Sequence, residues 1–250
     1  MAAAREDGSE AVPAELTSQI HASSASGPSP IPVRPLYPPR MAKPSNPLIL
    51  LASASPRRSA LLTQIGVAHE IRPVDIDETA QPGESAAEYV YRLARTKAET
   101  LWDRLSPQER RPVLGADTTV ALDTHILGKP ASSAELLTML RRLSGQTHQV
   151  YTAVALRAER GTQLRLSVSD VTFRPLTDIE IIAYWETGEP ADKAGGYAVQ
   201  GRAAMFIERI HGSYSGIVGL PLFETAQLLA DIGWKGLEIT GSAAAQGPSR

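Results

Sequence analysis

Apolar positions along this chain fall into runs of two periods. Short continuous or alternating runs predict strands at 48–51, 69–74, 113–122, 149–158, 163–173 and 204–210. Apolar residues three and four apart predict helices. One is opened by Pro56, with Leu61, Leu62 and Ile65 on one side. Others run from Ser85 to about Leu105, from Ser132 with Leu136, Leu140 and Leu143 inward, and from Thr177 to near Gly188, with a closing helix at 223–232. Ser85-x-x-Glu88, Ser132-x-x-Glu135 and Thr177-x-x-Glu180 read as capping boxes. Ser55 reads as the N-cap of the first helix, its hydroxyl accepting from free helical N–H groups, and Pro56 suits the next position. The strands at 149–158 and 163–173 read as a hairpin, 192–201 as a glycine-rich loop and 211–222 as a turn-rich connector. Helices and strands alternate until the hairpin interrupts them, so the fold class is mixed α/β.

Composition divides the chain. Residues 1–47 are rich in Ala, Ser and Pro with no sustained apolar period, and are expected to be disordered because they bury too little to offset their ordering entropy. They lack the apolar core of a secretory signal, and Glu6, Asp7 and Glu10 argue against a mitochondrial presequence. Met41, just before the first strand, is a candidate natural start. Residues 241–250 read as a second loose tail, leaving 48–240 as one domain. The formal net charge of −2 gives no basic face for nucleic acid. Cysteine is absent, which excludes disulfides, thiolate nucleophiles and cysteine-ligated metals and fits a reducing compartment such as the cytoplasm. No apolar run reaches the length of a membrane span.

Four places carry candidate chemistry. The strand–turn–helix LILLASASPRRSALLTQIG puts the serines of SAS, a helix N-terminus, Arg57 and Arg58 at one point. That suits phosphate oxygens, and a plain strand–turn–helix with solvated arginines accounts for it equally well. The loop 75–79 holds Asp75, Asp77 and Glu78, either a Mg²⁺-ligating cluster or a solvated acidic loop. Lys97 lies on the apolar stripe between Leu93 and Leu101, so it either snorkels or meets an anion. Asp117 sits mid-strand in VLGADTTVAL, where a carboxylate is costly unless it serves chemistry or caps a turn. Gly128 and Pro130 fix the backbone around Lys129. The chain has no P-loop, dinucleotide fingerprint, zinc spacing or serine-hydrolase elbow.

SASPRR, DET, GADTTV, GKP, DKAGGYAVQG and GSYSGIVGLPL occur in order between about residues 48 and 232. Together they resemble the Maf family of nucleoside triphosphate pyrophosphatases, first linked to septum formation in bacteria. The resemblance implies a mixed twisted sheet with flanking helices, in two lobes around a cleft, similar to inosine triphosphate pyrophosphatases and often dimeric. It implies cleavage of the α–β phosphoanhydride to a monophosphate and pyrophosphate with a divalent metal, Mg²⁺ or Mn²⁺. Arg57, Thr118 and Gln200 match the branch that prefers dTTP and UTP rather than 7-methyl-GTP, with Val199 in place of the usual isoleucine.

On this resemblance Asp117 is the general base, and Glu78 binds the metal. Arg57, Arg58, Lys97 and Lys129 hold the triphosphate, with hydrogen bonds from Ser53 and Ser55. Gln200, Thr118 and Arg57 set the base. The alternatives are a house-cleaning enzyme for modified pyrimidine nucleotides, a nucleotide-binding regulator of cell division, and a scaffold using the Pro-rich tail.

Overall fold

The computed structural model describes residues 48–236. The expectations for 1–47, for Met41 and for the tail at 241–250 lie outside the described residues. The elements in chain order are β1 (Ile49–Leu51), α1 (Pro56–Gln64), β2 (His69–Ile71), α2 (Ala86–Arg104), β3 (Val113–Leu122), β4 (His125–Leu127), α3 (Ser133–Leu143), β5 (Thr147–Ala158), β6 (Gly161–Phe173), α4 (Asp178–Trp185), β7 (Ile207–His211), α5 (Tyr214–Val218) and α6 (Leu222–Ala230). They build one seven-stranded sheet in the order β2-β1-β3-β5-β6-β7, with β4 also on β3. β2, β1 and β3 run parallel, and the other pairs are antiparallel. The predicted hairpin is β5–β6, longer at both ends than its apolar pattern indicates.

The sheet opens beside β3. β1 pairs with β3 at Val113 and Leu114, and β4 pairs with it at Val120, Ala121 and Leu122. Between them, residues 115–119 have strand β5 on one side and no strand on the other. The core divides at the same place. On one face of β3 and β5, Leu114, Ala116, Val154 and Leu156 pack with Leu61, Leu62, Leu228 and Leu229 of α1 and α6. Further along that face, Val120 and Val150 join a second cluster with α3, α4 and Phe173. Between the two clusters stand Thr118 and its register partner Thr152. Two lobes therefore share one sheet, and a polar gap separates them.

The opposite face carries α2, whose Val90, Ala94, Ala98 and Leu101 pack on Leu50, Val113, Ala153 and Ala155. Its capping box at Ser85 and Glu88 forms as the sequence predicts. Gly115 is the point of closest approach. A Cβ there would stand 2.4 Å from the Ala94 carbonyl oxygen and 2.8 Å from the Ala98 nitrogen.

Several expectations change. β2 stops at Ile71, ahead of Pro73, which has no N–H for a ladder. Ser55 is the N-cap residue of α1, but its hydroxyl makes no capping bond; Ser53 Oγ takes the Ser55 N–H instead, at 3.2 Å. At α3 half of the capping box forms: Ser132 accepts from Glu135 N, while the Glu135 carboxylate takes Ala131 N. The predicted strand at 204–210 is a 3-10 turn at Arg202–Phe206 followed by β7. Ala203 and Phe206, three apart, both enter the second core cluster, which suits a helical turn. The connector at 211–222 contains α5, capped by Ser213 Oγ accepting from Gly216 N.

Substituting Ala for Gly115 drives a methyl group into the backbone of α2. We expect Gly115→Ala to cost about 1–3 kcal/mol in denaturant unfolding, the range for overpacked cores. A midpoint equal to that of the unsubstituted protein would contradict this packing.

Candidate active site

A cleft of about 600 Å³ lies over the open edge of β3. The loop after β1, residues 117–120 of β3, the exit of β4, the loop at 192–200 and the end of α5 line it. This is the usual place for a ligand in an α/β sheet, beyond the carboxyl ends of strands where their order changes. All ten candidate residues, Ser53, Ser55, Arg57, Arg58, Glu78, Lys97, Asp117, Thr118, Lys129 and Gln200, line this one cleft.

Asp117 is on the α2 face of β3 and is 7 % exposed. Its Oδ1 accepts a hydrogen bond from Lys97 Nζ at 2.7 Å, and the same nitrogen lies 2.5 Å from Glu78 Oε1. Lys97 therefore does not snorkel; it is 8 % exposed and joins two carboxylates. Burial raises the Asp117 pKa above the ordinary carboxylate value, and the charges of Lys97 and Arg58 offset only part of this. Burial also opposes ionisation of Glu78, but the hydrogen bond and charge of Lys97, with Lys129 and Arg58, bring its pKa below the ordinary value. The deeper burial of Asp117 thus separates two carboxylates that share one lysine, one raised and one lowered.

The loop that carries Glu78 is fastened to α2. Tyr89 donates its hydroxyl to the Glu78 carbonyl at 2.9 Å, and Arg92 Nη2 donates to the Thr79 carbonyl at 3.0 Å. Burial and the nearby Asp117 and Glu78 charges push the Tyr89 phenol up to about 12, so it stays a donor. Asp77 takes the Thr79 N–H in a local turn. Among the described residues no three His, Cys, Asp or Glu side chains converge on a metal position. Glu78 and Asp117 do share one cation, Lys97, and two hard carboxylates completed by phosphate oxygens and water suit Mg²⁺. The donor set fits such an ion.

Arg58 is locked in place. Its Nε donates to the Gly219 carbonyl at 2.8 Å, Nη1 to Ser53 Oγ at 3.0 Å and Nη2 to Thr118 Oγ1 at 3.3 Å. Thr152 Oγ1 lies 2.7 Å from the Gly216 carbonyl and 3.0 Å from Thr118 Oγ1. A carbonyl only accepts, so the single Thr152 proton goes to Gly216 and Thr118 donates to Thr152. Hydrogen bonds thus run in one direction from Arg58 through Thr118 and Thr152 to Gly216. Burial lowers the Arg58 pKa, Asp117 opposing it, and the guanidinium remains charged. Ser53 Oγ accepts from both Arg58 and Ser55 N, leaving its own proton to donate.

The remaining cations are freer. Arg57 Nη1 lies 3.9 Å from Asp192 Oδ2 across the cleft, a loose pair that an incoming anion can replace. Lys129 and Gln200 are exposed, and neither makes a hydrogen bond within the described residues. Lys193, Asp192 and Tyr197 also line the cleft, and sequence reasoning read them only as parts of a glycine-rich loop. Tyr197 is 5 % exposed and its hydroxyl is 2.8 Å from His148 Nε2. Burial pushes His148 down to about 4, so the ring is neutral and can accept from the phenol.

Removing Lys97 leaves Asp117 without the cation that most favours its ionised form. In the metal-free protein we expect Lys97→Met to raise the Asp117 pKa further, read by carboxyl-carbon NMR titration. A fall, or no change, would mean that Lys97 does not govern this carboxylate.

Residues 48–232 match the family model described as Maf-like protein. A protein of Nitrosomonas europaea named dTTP/UTP pyrophosphatase is 54% identical over 203 residues, covering 77% of this chain and 98% of its own. One of the same name from Aromatoleum aromaticum is 53% identical, with the same 77% and 98% coverage. The solved structure of the Staphylococcus aureus Ham1 protein covers 74% of this chain and 97% of its own, at 14% identity and a TM-score of 0.42. With the family model spanning nearly all of the described residues, and relatives more than half identical over their whole length, this chain belongs to the Maf family.

Proposed function

We propose that this protein hydrolyses dTTP and UTP between the α and β phosphates, releasing the nucleoside monophosphate and pyrophosphate. The observation that carries the reading is the buried Asp117, joined through Lys97 to Glu78, on the floor of a cleft that Arg57, Arg58 and Lys129 also line. Relatives at 53% and 54% identity bear the name of that activity.

In this mechanism Asp117 accepts a proton from the water that attacks the α phosphorus. Its raised pKa suits a general base better than an ordinary exposed aspartate. The new P–O bond forms as the bond to the β-phosphate bridging oxygen breaks, and pyrophosphate leaves with that electron pair. Arg57 and Lys129 are free to meet the outer phosphates and to balance charge on the leaving group. The locked Arg58 presents its remaining N–H groups in a fixed direction, and Ser53 adds its hydroxyl proton. Ser55, at the first turn of α1, stands beside the same oxygens. Glu78 would hold a Mg²⁺ or Mn²⁺ ion together with the phosphates, and that ion would supply charge neutralisation.

Gln200 offers one donor and one acceptor, matching O4 and N3–H of uracil or thymine. The Thr118 hydroxyl is spent on Arg58 and Thr152, so its influence on base choice runs through the guanidinium it orients. We assign the enzyme to the cytoplasm, where its substrates are made; among the described residues no helix is long and apolar enough to cross a membrane. A homodimer is the assembly proposed, and light scattering tests it.

The deciding experiment is a panel of nucleoside triphosphates with Mg²⁺ or Mn²⁺, assayed separately for phosphate and pyrophosphate. Pyrophosphate from dTTP and UTP, with little from ATP or GTP, is the expected result. Turnover of 7-methyl-GTP instead would overturn the base assignment, and binding without turnover of any nucleotide would favour a regulator. Asp117→Asn is expected to lower kcat by about 10²–10⁴-fold while nucleotide binding persists; near-normal turnover would remove Asp117 from the role of base. Gln200→Ala is expected to lose about tenfold in pyrimidine preference, the equivalent of one or two hydrogen bonds. An unchanged preference would locate base selection elsewhere.

A further inference from the structure

The cleft wall that carries Gln200 contains no regular helix or strand. It is built from two short 3-10 turns, Glu189–Asp192 and Ala194–Gly196, and the bends that follow them. Glycine freedom helps to form it, since Gly195 and Gly196 both have a φ of 70°. Glycine also makes such a segment expensive to hold in one shape, so something must fix it.

The fastening is Glu189. Its Oε1 accepts from the Tyr184 hydroxyl at 2.8 Å and from Ala203 N at 3.4 Å, and its Oε2 accepts from Arg202 N at 2.9 Å. The Tyr184 oxygen in turn accepts from Ala198 N at 3.3 Å. Backbone amides on both sides of Gln200 are thus tied to two side chains, Tyr184 in the last turn of α4 and Glu189 at the start of the 3-10 turn that follows. Tyr184 is itself 3 % exposed and packs edge-on against Phe206, with ring centroids 5.2 Å apart. Gly201 leaves room for the carboxylate: a Cβ there would stand 2.3 Å from Oε1 and 2.4 Å from Oε2. Burial opposes charge on Glu189, but its donors bring the pKa below the ordinary value, so the acceptor stays ionised. Glu189 does not line the cleft.

We propose that Glu189 is the positioning residue for base selection: its carboxylate, bridging Tyr184 and the amides of Arg202 and Ala203, holds the Gln200 segment at the distance a pyrimidine edge requires. The proposal rests on the nucleotide reading above. It separates two duties within the cleft. The phosphate side is fixed by Arg58 and its threonines, whereas the base side is fixed by one carboxylate that never touches the substrate.

The test uses the full-length protein and three variants. Glu189→Gln replaces one acceptor oxygen with an amide that cannot accept. Gly201→Ala keeps Glu189 and Gln200 but displaces the carboxylate. Tyr184→Phe removes a single hydroxyl. For the first two, hydrogen exchange at Ala198, Arg202 and Ala203 is expected to speed up by about tenfold, the worth of a charge-assisted bond, while sheet amides stay unchanged. KM for UTP and dTTP is expected to rise by about tenfold, with kcat within about twofold and pyrimidine preference reduced. Tyr184→Phe should give a smaller change of the same kind, which keeps the idea testable if Glu189→Gln fails to fold. Unchanged KM and preference in both Glu189→Gln and Gly201→Ala would overturn the proposal. So would a fall in kcat on every nucleotide at constant KM. If the unsubstituted enzyme turns over neither dTTP nor UTP, the activity reading itself has failed, and the exchange data still judge whether Glu189 holds the loop.

Discussion

A carboxylate in the middle of a sheet strand needs a cation, and the rest of the site depends on how this one is supplied. Asp117 obtains Lys97 from α2, a helix packed flat on its face of the sheet. The contact requires α2 to lie close, and Gly115, two residues before Asp117 on the same face, allows that approach. The helix also brings Tyr89 and Arg92, which hold the backbone of the Glu78 loop. A single helix thus places the lysine, the second carboxylate and the strand that carries the first. Neither carboxylate is without a partner, and the lysine is not buried without an anion, so their mutual attraction and hydrogen bonds offset part of the desolvation cost.

The cleft follows from strand lengths. β1 and β4 are each three residues long and lie on the same side of β3, which has ten. They cover its two ends and leave the middle open, so unpaired backbone and polar side chains face the cleft where a longer neighbour would have closed the sheet. The apolar clusters on the other face part at the same level, around Thr118 and Thr152. The directed chain from Arg58 to Gly216 occupies that gap with polar groups that satisfy one another.

Much of this was legible from residue pattern. The bounds of β3 follow from a near-continuous run of small, apolar and β-branched residues, and Asp117 stands out because its cost within such a run demands a reason. The position of Lys97 on an apolar stripe was ambiguous alone, because both snorkelling and pairing satisfy a long cationic side chain; only tertiary placement of Glu78 and Asp117 decides between them. Ser55 reads as the acceptor for the free N–H groups of the first helical turn, yet its hydroxyl makes no capping bond; the neighbouring Ser53 Oγ accepts from a different amide, that of Ser55 itself, a choice local sequence cannot rank. The segment 204–210 reads as strand throughout because Ala, Met and Phe in succession carry no clear period, whereas 202–206 is a 3-10 turn. What makes it a 3-10 turn is Glu189, thirteen residues before Arg202, accepting its N–H. Lys193 and Tyr197 escaped notice for the same reason: glycine-rich sequence has no period from which to read a facing direction.

Lys193 and Tyr197 lie on one wall of the cleft, and the turn at Arg202–Phe206 follows it in sequence, whereas Ser55 and Lys97 lie elsewhere in the cleft. The wall we propose for the phosphates grows from β1, α1 and β3, whose apolar patterns place Ser53, Arg58 and Asp117 at one cleft. The wall we propose for the base is aperiodic, and its shape is set by contacts between side chains and backbone that are distant in sequence. A triphosphate is the same group in every nucleotide, so its wall can be rigid and built from regular elements. Bases differ, so the wall that reads them must be adjustable by substitution without disturbing the sheet. In the proposed reading, hanging Gln200 on a loop fastened by Glu189 and Tyr184 meets that requirement, because the fastening can change while Lys97, Asp117 and Glu78 keep their own contacts.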